Sequence, residues 1–320
     1  MHALAGHPIA AERWADAAEH GASGPLPDGS GPLEGWLALL RAALCRHGVE
    51  RMRTDAEVAL VLAPSDSPLR ATLLMLLGVS HLLSGDPGIA DDVLAEAVAV
   101  AEGSGATDTA VVALAERAIL AIGRREWSEA ELLVERARSI ARRAWLEEYV
   151  TSALLYAVAA RVAVHRGEPA QALPDFAQTQ RLRPKLTYAL SFLAVQTRLE
   201  LARAYVALTD VAAARTVLRE ADEVLRRRPD LGILGRQAGE LWTRLDAVHA
   251  EAIGSSTLTA AELRLLRLLG THHSFRGIGE QLYLSRHTVK SHAMSIYRKL
   301  GVPSRGEAIQ RARELGLLAE

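Results

Sequence analysis

The sequence predicts an all-α protein: an array of helical hairpins followed by a separate four-helix domain. Three observations predict it. Alanine, leucine and arginine, all good helix formers, dominate a chain with only 4% aromatics. A tight-turn pattern recurs about every 40 residues through most of the chain. The segment from 258 to 320 breaks that pattern and carries its own helix start and stop signals.

The 320 residues are enough for two or three domains, and 49% hydrophobic residues suffice for a sizeable core. The net charge of −1 hides an asymmetry. From Thr257 onward there are ten Lys and Arg against five Asp and Glu, and before it 27 against 33. A basic tail on a mildly acidic body points to the tail as the part that meets a polyanion. Cys45 is the single cysteine, which excludes an intrachain disulfide and a cysteine-rich zinc module, and it reads as a small buried hydrophobe. Met1–Gly6 shows no signal-peptide features, and the most apolar stretch, 71–83, is too short to span a bilayer. The expected location is cytoplasmic.

The repeat is a turn residue, an acid, and an Ala four residues after the acid. Gly85-Asp86 leads to Ala90, Arg125-Glu126 to Ala130, Gly167-Glu168 to Ala172 and Thr209-Asp210 to Ala214. Apolar residues follow at helical spacing: Val93, Leu94 and Ala97; Leu133, Val134 and Ala137; Val217, Leu218 and Ala221. The third copy is weaker, with Asp175 and Thr179 at those places. A small Ala lets the second helix lie close against the first, and single hairpins must stack to bury their apolar faces. Upstream, Gly6-His7 leads to Ala11 and Trp14, so the first repeat is expected to be incomplete and the chain to be a shortened relative of a longer protein. Gly21–Pro32 reads as a loop, the first full helix starts near Leu33, and a helix over about 235–253 ends the array. Trp36, Trp127, Trp145, Tyr156 and Tyr205 are expected to be core anchors. The domains are then 1–253, a linker at 254–257, and 258–320.

In the tail, Thr259-Ala-Ala-Glu262 is a capping box opening a helix to about Leu269. A second, short helix runs from Phe275 to Tyr283. Ser285 caps a third from Arg286 to Leu300; Gly301 ends it, and Ser304-Arg-Gly-Glu307 is a second capping box for the last. Projected at 100° per residue, Val289, Ala293, Ile296 and Leu300 form one stripe of the third helix. His287, Lys290, Ser291, Met294 and Arg298 lie opposite, and this helix contains no acid. A basic helix after a short helix and a tight turn has the geometry of a major-groove reader. Gly277 and Gly279 are expected to weaken the second helix by about 1–2 kcal/mol together relative to alanine.

These residues carry a resemblance. Leu258-Thr-Ala-Ala-Glu262, Leu284-Ser-Arg-His-Thr-Val-Lys-Ser-His292, Ile296-Tyr-Arg-Lys-Leu-Gly-Val302 and Ser304-Arg305 with Glu307-Ala308 resemble the LuxR-type helix-turn-helix. The resemblance implies a bacterial transcription regulator that binds double-stranded DNA, with Thr288 on phosphate and Lys290, Ser291 and Met294 on base edges. It places His287 near the backbone or an adjacent base, and Arg298, Lys299 and Arg305 on phosphates. It makes the last helix a dimerisation element, with Ile309 and Ala312 as its contacts in a homodimer on DNA. Met294 departs from the family by offering no hydrogen bond to a base. The body resembles tetratricopeptide-like hairpins, as in Leu199–Asp210, with a longer period closer to the repeats of large MalT-type regulators. In such regulators the array would sense a protein or small-molecule effector.

Sharper chemistry finds no support in the residues. His272-His273 and the pair His287 and His292 lack metal-ligand spacing, so no metal is expected. No Gly-x-x-x-x-Gly-Lys-Ser/Thr loop occurs, so neither the ATPase module of MalT-like regulators nor a bound cofactor is implied. No nucleophile–base set appears, and an enzyme is not expected. A second reading stays open: a protein-interaction scaffold, or a truncated regulator whose tail binds DNA weakly.

Overall fold

The computed structural model describes residues 1–20, 32–254, 258–315 and 317–318, with the side chains of 248–254 set aside. Residues 21–31 of the expected loop Gly21–Pro32, and linker residues 255–257, lie outside the described residues. Among these there are sixteen α-helices and no strand, so the chain is all-α as expected. No described helix is long and apolar enough to cross a membrane.

The helices are α1 (Pro8–Glu19), α2 (Leu33–Leu44), α3 (Val49–Leu62), α4 (Arg70–Ser84), α5 (Pro87–Ser104), α6 (Thr107–Gly123), α7 (Trp127–Arg143), α8 (Ala153–His165) and α9 (Pro169–Leu182). They continue with α10 (Ser191–Ala207), α11 (Val211–Arg227), α12 (Ile233–Gly254), α13 (Ala260–Leu269), α14 (Phe275–Leu282), α15 (Arg286–Leu300) and α16 (Arg305–Glu314). Two compact units result: Met1–Leu201 with Arg219–Ala238, and Ala202–Leu218 with Gly239–Glu320. Residues 202–218 and 239–253, expected within the array, thus group with the C-terminal helices.

The repeated turn has one geometry in every copy. Gly85, Arg125, Gly167 and Thr209 all take positive φ, between 61° and 93°. The next residue's amide then closes a six-residue loop onto the preceding helix: Asp86 N to His81 O, Glu126 N to Ala121 O, Glu168 N to Ala163 O and Asp210 N to Tyr205 O, at 2.8–3.0 Å. Gly6 repeats the motif ahead of α1, with φ +77 and His7 N bonded to His2 O. The Ala five positions after each turn residue is buried in all five copies. Periodicity in the sequence is therefore periodicity of one helix stop. At Arg125 and Thr209 a side chain occupies a conformation that favours glycine, at a cost of about 1–2 kcal/mol each.

In the first unit α2 packs on α3, α4 on α5, α6 on α7 and α8 on α9, with α3 on α4 and α5 on α6 joining the hairpins. The first helices of two of these pairs are buried almost all round: α6 from Thr109 to Glu116, α8 from Ala153 to Ala160. The weak third repeat is explained by a polar substitution of its core. Asp175 is buried and takes a 2.5 Å bond from Arg138 of the previous hairpin, and the Thr179 hydroxyl donates to Asp175 O at 2.8 Å. Deeper still, Gln196 Nε2 donates to Glu116 Oε2 at 2.8 Å, and burial pushes the Glu116 carboxyl up to about 8. Cys45 is buried, and burial pushes its thiol up to about 12.

The aromatic expectation needs correction. Tyr156 and Tyr205 are core residues, but Trp145 is 88% exposed, and Trp36 is 38% exposed. Trp145 sits at positive φ in the loop after α7, where its side chain is carried away from the hairpin. Trp127 is half-buried and stacks on His165 with ring centroids 3.5 Å apart, an inter-hairpin contact of α7 with α8.

Candidate nucleic-acid interface

The four C-terminal helices are built around a small apolar core. Leu265, Leu266 and Leu269 of α13, Ile278 of α14, and Val289, Ala293, Ile296 and Tyr297 of α15 close on Ala308 and Ala312 of α16. Each helix begins on a side chain that the local sequence supplies. Thr259 and Glu262 form the reciprocal capping box of α13. Ser274 accepts from Gly277 N at 3.2 Å to start α14, and Ser285 accepts from Thr288 N at 3.0 Å to start α15. Ser304 accepts from Glu307 N, while the Glu307 carboxylate takes the Ser304 hydroxyl rather than its backbone amide, so the second box is incomplete. Gly301 ends α15 in the left-handed conformation.

The turn between α14 and α15 sets how the two helices cross. Tyr283 takes φ +57, and Leu284 N donates to Gly279 O at 2.8 Å. A Cβ at Gly279 would lie 2.6 Å from Leu284 O, whereas one at Gly277 meets nothing closer than 3.8 Å. Gly279 is thus a requirement of this turn and not a defect. Only Gly277 fits the expected weakening.

The exposed side of α15 carries His287, Lys290, Ser291, Met294 and Arg298, the row expected from the projection. Met294 is 56% exposed, an apolar side chain held in water at the middle of the row. Three other expected contacts are placed differently. Thr288 is fully buried: its hydroxyl lies 2.7 Å from that of Ser285 and donates to Asp210 Oδ2 at 2.7 Å. Lys299 turns inward and donates to Glu262 Oε2 at 2.7 Å, with both side chains under a tenth exposed. Arg305 donates to Leu269 O at 3.0 Å and Thr271 O at 2.7 Å, capping the end of α13. As placed, these two cations hold the domain together. Ala312 is fully buried inside the domain's own core, which corrects its expected place at a dimer contact; Ile309 is half-exposed.

Glu262 organises the domain more than its capping role suggested. Besides Lys299, its carboxylate accepts from Thr259 N at 2.8 Å, from the Thr259 hydroxyl at 3.0 Å and from the Ser295 hydroxyl at 2.8 Å. Burial works against its charge, but these donors outweigh it and hold the carboxyl below its usual range. The sequence signals the capping box; nothing in it signals that Ser295 and Lys299 would share the same carboxylate.

Comparison with known proteins bears on this domain alone. Residues 256–312 match the family of "Bacterial regulatory proteins, luxR family". The chain is 38% identical over 65 residues to the HTH-type transcriptional regulator MalT of Serratia proteamaculans (strain 568), and equally to those of Yersinia pestis (strain Pestoides F) and Yersinia pseudotuberculosis serotype O:3 (strain YPIII). Each match spans 20% of this chain and 7% of the relative. The four C-terminal helices are therefore a LuxR-family helix-turn-helix domain, joined to an α-helical repeat region.

Proposed function

We propose that the chain is a DNA-binding transcription regulator that seats α15 in the major groove. The observation that carries this reading is the exposed row on an acid-free helix: His287, Lys290, Ser291, Met294 and Arg298 all reach solvent, after a short helix and a tight turn. Lys290 donates to guanine O6 and N7, Ser291 to a base edge or phosphate, and Met294 packs on a thymine methyl. Arg298 and His287 meet the backbone and fix register without reading sequence. Two copies bind a roughly palindromic site in the cytoplasm, with Ile309 of α16 at the contact. The repeat region, on which Trp36 and Trp145 stay exposed, senses a protein or small-molecule effector. No catalytic step and no cofactor enter the reading.

The test is fluorescence anisotropy of the full chain with duplex DNA across a salt series, beside Lys290→Ala. The expected result is binding that falls steeply with salt and weakens clearly in the variant. Absence of binding at low salt, by protein shown to be folded, would instead favour an interaction scaffold.

A further inference from the structure

We propose that Asp210 is an intramolecular stand-in for a DNA phosphate, holding the first turn of α15 until a duplex displaces it. The inference rests on the DNA-binding reading above. Asp210 precedes α11 in the stretch 202–218, which belongs to the same compact unit as α15. Its Oδ2 accepts the Thr288 hydroxyl at 2.7 Å, with Thr288 fully buried and Asp210 2% exposed.

The chemistry of that contact is the chemistry of a phosphate contact. A hydroxyl in the first turn of a groove-bound helix, beside a positive helix terminus, donates to phosphate oxygens. A carboxylate offers the same negative acceptor in the same place. Burial pushes the Asp210 carboxyl above its usual range, while the hydrogen bonds from Thr288 and Ala213, and less strongly His292 and His287, favour its charged form. Asp210 and a phosphate cannot both take the Thr288 hydroxyl in this arrangement.

The rest of the reading face stays open. His287, Lys290, Ser291 and Met294 are all exposed, so the contact competes for a positioning interaction and not for base edges. Its signature is a change in affinity that is uniform over DNA sequences.

Asp210 also accepts Ala213 N at 2.9 Å through Oδ1, capping the start of α11. Asp210→Ser keeps a capping oxygen but is shorter and uncharged, and Asp210→Asn keeps both shape and cap as a fold control. The experiment compares full-length wild type, Asp210→Ser and Asp210→Asn by anisotropy on two duplexes of unrelated sequence. It also follows amide hydrogen exchange over 286–294 without DNA. The expected result is Asp210→Ser binding both duplexes tighter by on the order of tenfold, a typical coupling between competing contacts, with faster exchange at 286–294. Equal affinities with equal exchange, or weaker binding by Asp210→Ser, overturn the proposal while leaving DNA binding intact. Faster exchange with no DNA binding by any of the three proteins overturns it through the function it rests on.

Discussion

The repeat region and the helix-turn-helix domain use their basic residues in opposite ways. In the first unit arginines are spent on neighbours: Arg41 on Asp55, Arg138 on Asp175, Arg161 on Glu200, each with a carboxylate nearly removed from solvent. Among the described residues of the domain, Lys299 is spent in this manner, while Arg286, Lys290 and Arg298 stay exposed along α15. The lesson is that helical position alone does not decide what a basic residue does. Lys299 and Lys290 lie on one helix nine positions apart; a carboxylate from α13 makes Lys299 structural, while Lys290 stays exposed.

The largest expected effect breaks the structural half of that contrast. Glu262→Ala removes the buried partner of Lys299 and the cap of α13 together. It should cost about 3–5 kcal/mol of domain stability, read as a lower midpoint in denaturant titration. The pH dependence has a defined sign. Because the folded-state carboxyl titrates below its usual value, its contribution is complete above the unfolded-state value of about 4.5. It is lost as pH falls through the lower folded-state value, so acid should narrow the difference between wild type and Glu262→Ala. A difference that persists undiminished at acid pH would assign the effect to packing.

Lys290→Ala probes the other half. Truncating an exposed residue should leave the melting midpoint unchanged and cost about 1–3 kcal/mol of DNA binding. Lys299→Ala should show the reverse, a stability loss of several kcal/mol, with any DNA effect following the folded fraction. Equal stability losses in the two variants would erase the distinction drawn between them.

How much of this was legible depended on whether a role is set locally. The hairpin turns could be placed because one backbone geometry is repeated, and the Ala that follows is buried in every copy. The caps at Thr259, Ser285 and Gly301 could be placed because capping is settled within four residues. The exposed row of α15 followed from helical projection. What could not be placed depended on partners distant in sequence: Lys299 on Glu262, Arg305 on the end of α13, Thr288 on Asp210. The exposure of Trp145 was missed for a related reason, since a positive φ after α7 redirects a residue that composition assigns to the core.

A smaller effect tests whether the repeat turns are one device. Gly85→Ala places a Cβ at φ +93 and should cost about 1–2 kcal/mol. Arg125→Gly relieves the same conformation and should return up to about 1 kcal/mol, less the added freedom of glycine in the unfolded chain. Opposite signs in thermal melts of the two variants would show that the turn geometry, and not the residue, is what the period preserves.

The smallest expected effect separates two glycines of one helix. At Gly277 the added methyl meets only ordinary contacts, at 3.8 Å, so Gly277→Ala should stabilise the domain by somewhat under 1 kcal/mol through helix propensity alone. At Gly279 the same methyl would sit 2.6 Å from Leu284 O, a backbone atom fixed by the left-handed turn at Tyr283. Gly279→Ala can gain its propensity only by moving α15 against α14, so it should lose stability and change DNA affinity together. If both substitutions stabilised equally and left DNA binding alone, the turn would have slack that its geometry denies, and the crossing of the two helices would be set by the core at Ile278 and Val289 instead.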